Sequence, residues 1–263
     1  AGTPVRDLSK AGALNEAALH VSLGRLTLDP APVTQPDGSV KMPDPKAKFT
    51  IPTTIAGVTF KYSNFGDRTQ RSYQPFLKPM VGLDIRHVVG IVRMALHLNN
   101  TWGVAEVHHV GMGNEPGRTD CHGQGRATDF LGVKGNRTGA DFHLTVYNDW
   151  KRFSVPNLRN PAKPRLPDWP AVSGPIEYRL ATHPTVDPFA RDFFADLYAW
   201  ARSEYQDRSD GPGQLELPSQ IGQGSRIMTP DHPTSAPLPS PHGRQAHHSH
   251  MHWQVGPTGS QKP

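Results

Sequence analysis

The chain has 263 residues, of which 28 are Lys or Arg and 23 are Asp or Glu, giving a formal net charge of +5; 35% are hydrophobic. A single cysteine, Cys121, excludes an intramolecular disulfide and a structural zinc built from cysteines. No apolar run reaches the roughly 18–20 residues of a membrane span, so no membrane span is expected, and the mild basic balance suits an anionic polymer without choosing among nucleic acid, anionic lipid and wall polymer.

With 25 Gly and 27 Pro, much of the surface is expected to be loop. Residues 1–75 read as an N-terminal extension of modest structure, with a short helix over 13–26 and two short strands over 48–51 and 58–62. Residues 76–263 read as the catalytic domain. Its first strong element is a helix over 83–98, where Val88, Val89, Ile91, Val92, Ala95 and Leu96 crowd one face and Asn99 and Asn100 mark a stop. A strand over 103–110 follows, then a Gly- and Pro-containing loop over 112–120 and a second strand over 126–133. Residues 144–175 look irregular. Asp187-Pro188 caps a second helix over 187–205, with Phe189, Phe193, Leu197, Trp200 and Ala201 as its core stripe. A long Gly/Pro/Ser-rich segment, 207–246, is expected to form a lid or linker, with 211–225 as the lid candidate. The chain closes on a short strand over 248–255. The fold class is therefore α+β: a small antiparallel sheet flanked by two main helices, with long Gly/Pro-rich loops.

Two short stretches carry the chemistry: Asp120-Cys121-His122-Gly123-Gln124-Gly125-Arg126-Ala127-Thr128-Asp129 and His247-His248-Ser249-His250-Met251-His252-Trp253. They offer a His, a carboxylate and a further His, with spare histidines alongside. Three protein ligands and one open position is the layout of a catalytic zinc site. His122 leads into a strand and Asp129 sits on it. In a regular strand His250 and His252 share a face, one as ligand and the other as orienting or catalytic group. His247 and Ser249 then face the other way unless the chain bends near His247.

The pattern His122-x-x-Gly125-x-Ala127-x-Asp129 followed by His250-x-His252 resembles the LAS metallopeptidases, over roughly residues 83–255. These include D-Ala-D-Ala peptidases, phage endopeptidases, murein endopeptidases and the Hedgehog N-terminal domain. The resemblance implies one zinc ion held by His122, Asp129 and His252, and a peptidoglycan peptide as substrate. Two positions depart from the family: Asp120 replaces its Ser, and Ser249 stands where many members carry an acidic base. The arrangement His247-x-x-His250-x-His252 is similar instead to the murein endopeptidase branch, which makes His250 and His247 the catalytic candidates. In place of the family's Arg on the preceding strand stand His108 and His109. His109, Arg118 and Arg126 are the candidates for substrate binding or oxyanion support, and Asp120 is the candidate to orient His122. Cys121 is expected to pack. Trp102, Trp150, Trp169 and Trp253 are groove candidates that more often serve as core.

Two rival readings follow from the same residues. Val107-His108-His109-Val110 is similar to the strand of His-metal nucleases, a reading that needs a helix bearing Asn or His after the loop. A wall-binding protein on an inactive scaffold is the other. Nucleic acid is not expected as a partner, nothing sets the oligomeric state, and the start at Ala1 rather than Met fits an exported protein.

Overall fold

The computed structural model describes residues 2–113, 115–150, 152–154, 176–178, 187–205, 227–230, 247 and 249–256. A 3-10 turn, Val5–Asp7, precedes helix α1, Lys10–Ser22. Ser9 caps α1 by accepting from the Gly12 amide, which satisfies one of the donors left open at a helix start. Strands β1, Val33–Thr34, and β2, Val40–Lys41, form a small ribbon. Then come β3, Phe49–Ile51, β4, Thr54–Ile55, β5, Val58–Tyr62, and β6, Met80–Leu83. Helix α2, Ile85–Trp102, is followed by β7, Val104–Gly111, β8, Ala127–Arg137, and β9, Ala140–Thr145. The remaining described elements are α3, Val146–Asp149, β10, Arg152–Ser154, β11, Ile176–Tyr178, α4, Pro188–Glu204, β12, Ile227–Met228, and β13, Met251–Gln254.

The mixture of helices and strands agrees with the sequence expectation, but the sheet is larger than expected. Seven strands form it, in the order β12-β13-β8-β7-β5-β4, with β9 also on β8. It is not purely antiparallel, because β5 and β7 run parallel, with Phe60 opposite Val107. The long β8 explains the branching. Its first residues, Ala127 to Phe130, pair with β13, and residues Gly132 to Arg137 pair with β9 along the same edge. The β8–β9 hairpin turns at Thr138 and Gly139, both at positive φ; sequence periodicity assigns no element to residues 140–143 and reads 144–145 as irregular, where β9 forms.

The core crosses the boundary drawn at residue 75. Strands β4 and β5 belong to the central sheet, α1 packs on α2, and Val5, Leu14, Phe49 and Phe60 are buried in the common core. Helix α2 runs past Asn99 and Asn100. The Asn99 side chain donates to the Val104 carbonyl at 3.0 Å, and the helix ends at Gly103, whose φ of 68° is the left-handed conformation that terminates helices. Helix α4 begins as expected, with Asp187 accepting from the Ala190 amide. It docks through aromatic rings: Phe193 meets Trp102 at 5.3 Å, and Trp200 meets Trp253 at 5.9 Å. Trp102, Trp150 and Trp253 are thus core residues. Trp169 and the lid candidate lie outside the described residues. Among the described residues, no helix is long and apolar enough to cross a membrane.

Candidate metal centre

One compact turn sets His122. Asp120 Oδ1 accepts from the Gly123 amide at 3.2 Å, and the Gly125 amide donates to the His122 carbonyl at 3.0 Å. Gly125 closes the turn at a φ of 66°, and a Cβ there would run into the Gly82 carbonyl. Only glycine combines that conformation with that approach. Its carbonyl then receives the Asp84 amide at 3.0 Å, tying the motif to the start of α2.

Strand alternation does the rest. Thr128 lies toward α2, where His87 Nε2 is 3.5 Å from its hydroxyl, and Trp253 lies toward α4. Successive residues point to opposite faces, so Asp129 and His252 project away from the helices. They stand directly opposite each other across β8 and β13, the closest cross-strand relation a sheet offers.

The three expected ligands meet. His122 Nε2 is 3.2 Å from Asp129 Oδ2 and 3.3 Å from His252 Nδ1, and His252 Nδ1 is 2.8 Å from Asp129 Oδ1. One ligand atom from each lies within 4.8 Å of the others. His122 and His252 are buried, while the Asp129 side chain keeps 13% of its surface exposed. This cluster can hold a metal ion.

Electrostatics favour the ionised form at Asp129 and the protonated form at His252. Burial pushes the Asp129 carboxyl up, but the imidazoles of His250, His122 and His252 overcome that and hold it well below the usual carboxylate range. Asp129 is therefore ionised, as a ligand must be. Burial pulls His252 down, yet the hydrogen bond and charge of Asp129, with the hydrogen bond to Gln254, together outweigh this and the group ends raised, so a metal ion must displace a proton there.

Histidines surround the triad. His250 Nε2 lies 3.6 Å from Asp129 Oδ1. The chain bends before β13, so His247 returns toward the site, its ring 5.2 Å from that of His250 and 5.9 Å from that of His252. His109 and Arg118 line the cavity beside Asp129. Arg126 does not: its guanidinium donates to the Val255 carbonyl at 2.5 Å and to Gln124 Oε1 at 2.9 Å, tying β13 to the start of β8. Asp120 is likewise engaged elsewhere, with Arg118 at 3.0 Å and the Gly123 amide. Cys121 is buried.

One positioning residue and one nearby carboxylate were not anticipated. Glu115 Oε1 stands 3.7 Å from His122 Nδ1, nearer than a solvent-separated pair but beyond hydrogen-bond reach, on the side where Asp120 was expected. Gln254 Oε1 is 2.8 Å from His252 Nε2, and Gln254 Nε2 donates to the Gly256 carbonyl at 2.9 Å. Both ring nitrogens of His252 face acceptors, Nδ1 the ionised Asp129 and Nε2 Gln254; as a metal ligand through Nδ1 the ring would keep only the Nε2 proton, donated to Gln254. Such partners fix the tautomer and orientation of a ligating imidazole. The parity of β13 puts Gln254 on the face of His252, a signal present in the sequence; Glu115 sits in an irregular loop and had none.

Comparison of the chain with protein-family models, curated proteins and solved structures gave no match.

Proposed function

We propose that the protein is a zinc-dependent peptidase that hydrolyses peptide bonds of bacterial peptidoglycan. The observation that carries this reading is the convergence of His122, Asp129 and His252 at separations of 3.2, 3.3 and 2.8 Å. Ligand atoms around a tetrahedral zinc lie roughly 3.3–3.5 Å apart. Two separations match this spacing, and the third is shorter because the pair shares a hydrogen bond. Two imidazoles and one carboxylate favour zinc over calcium or magnesium. Zinc bound there supplies Lewis acidity, lowering the pKa of water and polarising an amide carbonyl.

The chain's own groups do the rest of the work. His250, beside Asp129, accepts the proton released as water attacks the scissile amide and returns it to the leaving amine. His247, packed against His250 and His252, holds developing charge on the carbonyl oxygen. Gln254, accepting from Nε2, keeps His252 in the tautomer that offers Nδ1 to the metal. Peptidoglycan as substrate rests on the LAS resemblance, and export of the protein is part of the same proposal.

The nuclease alternative needs a helix after the 112–120 loop. That loop leads instead through the His122 turn into β8. A digest of purified peptidoglycan by zinc-loaded wild type and His122→Ala, read by mass spectrometry, tests the reading. New peptide fragments from wild type alone support it. Intact peptidoglycan that is nevertheless bound supports an inactive wall-binding protein, and cleavage of DNA supports the nuclease.

A further inference from the structure

Asp129 forms part of the wall of a cavity of about 380 Å3, at the end of β7 and against β6. The ladder between β7 and β8 shifts register at His108/His109 and again at His109/Gly111. Such bulges re-aim side chains, and here they bring His109 to the cavity wall. His108 goes the other way, to Glu106 at 3.1 Å and to Tyr73.

His109 is 3% exposed, and neither of its ring nitrogens has a hydrogen-bond partner. Burial, with Lys78 nearby, lowers its pKa to about 3, so the ring is neutral and offers one N–H and one lone pair. A buried polar group left without a partner is costly, and one that faces a cavity is completed by whatever enters it.

The charges on the wall select the occupant. Arg118 is neutralised by Glu115 at 2.7 Å and by Asp120. Asp129 is held among imidazoles. The Lys78 ammonium lies 4.1 Å over the Tyr62 ring, and the Tyr62 ring stands 5.9 Å from that of His109. Among the described residues Lys78 has no carboxylate partner. Lys78 is therefore the cation of this wall that no carboxylate holds at ion-pair distance among the described residues, and it stands beside the unpartnered His109. The volume is at the lower end for small-molecule sites, about 300–1,000 Å3, and suits one amino-acid residue.

We infer that this cavity is a specificity subsite for a carboxylate-bearing residue next to the scissile bond, with Lys78 supplying the cation and His109 a hydrogen bond. The peptide nature of the occupant rests on the peptidase reading. The carboxylate is either a chain terminus or a side chain, and the probes below separate the two.

The test is calorimetric titration of the full chain, zinc-loaded and chelator-stripped, with N-acetyl-D-alanine, its primary amide, and N-acetyl-D-glutamic acid α-amide. The expected result is that an acid binds about tenfold more tightly than the neutral amide, the strength of one charge-assisted contact. The preference persists without zinc, disappears in Lys78→Met and survives in Lys78→Arg. Preference for the alanine acid assigns a terminal carboxylate, and preference for the glutamate probe a side chain. Equal binding of acid and amide, no binding of either, or a preference untouched by Lys78→Met overturns the subsite. So does a preference that requires zinc and ignores Lys78, which places the carboxylate on the metal. If peptidoglycan is not cleaved but the Lys78-dependent preference remains, the peptidase reading falls and the subsite stands. Cleavage without the preference removes the subsite alone.

Discussion

Replacing Gln254 by Leu removes the side-chain acceptor that His252 Nε2 has among the described residues and leaves all three proposed ligands in place. Gln254 is 3% exposed and its Oε1 is 2.8 Å from that nitrogen. Leucine has similar volume and no acceptor, so the imidazole loses the group that would hold its proton on Nε2 while Nδ1 serves a metal ion. Loss of such a partner lowers metal affinity by about 10–100-fold, equivalent to about 1.4–2.7 kcal/mol. Competition against a chromogenic zinc chelator reads the change directly, and urea unfolding of the metal-free protein separates it from general destabilisation. Gln254→Glu restores an acceptor, and a stronger one, so its zinc affinity equals or exceeds that of wild type. An affinity within about twofold of wild type in the Leu variant would show that Gln254 does not position His252.

The ligand assignment predicts that His122→Ala, Asp129→Ala and His252→Ala each lose zinc, whereas His250→Ala keeps it and loses about 10²–10⁴-fold in turnover, the usual contribution of a general base; metal content and kcat measured together decide this. Gly125→Ala forces a Cβ onto a φ of 66° and toward the Gly82 carbonyl. It is expected to destabilise by at least about 1–3 kcal/mol, visible as a lowered Tm. Acid stability follows from Glu16. Burial pushes this carboxyl up, but the adjacent His20 imidazole and the hydrogen-bonded Arg93 guanidinium bring it from an ordinary 4.5 down to about 2. A depressed carboxylate stabilises the fold above its unfolded pKa and loses that contribution as pH falls through the folded one. The stability gap between wild type and Arg93→Met is therefore widest above pH 4.5 and closes toward pH 2 in urea titrations.

The triad was legible because it rests on local features: a turn closed by Gly125, strand alternation at Asp129, and a second strand carrying His252. The helices α2 and α4 were legible from apolar periodicity, with the end of α2 misplaced because Asn99 and Asn100 gave a weaker stop than the left-handed Gly103. What sequence periodicity did not carry was pairing. Residues 58–62 read correctly as a strand, but its parallel register on β7 joins segments more than forty residues apart, and that pairing is what draws the first 75 residues into the core. His247 reaches the site through the bend before Met251, the condition under which strand parity stops applying to it. Glu115 could not have been chosen over Asp120, because proximity to His122 Nδ1 depends on the path of an irregular loop.

The most direct test is stoichiometric zinc titration of chelator-stripped protein while release of peptide fragments from purified peptidoglycan is followed. A zinc peptidase built on this triad gains activity linearly up to one zinc per chain and none in His122→Ala. Cleavage that is independent of zinc, or full zinc occupancy of the triad with no fragments released, contradicts it.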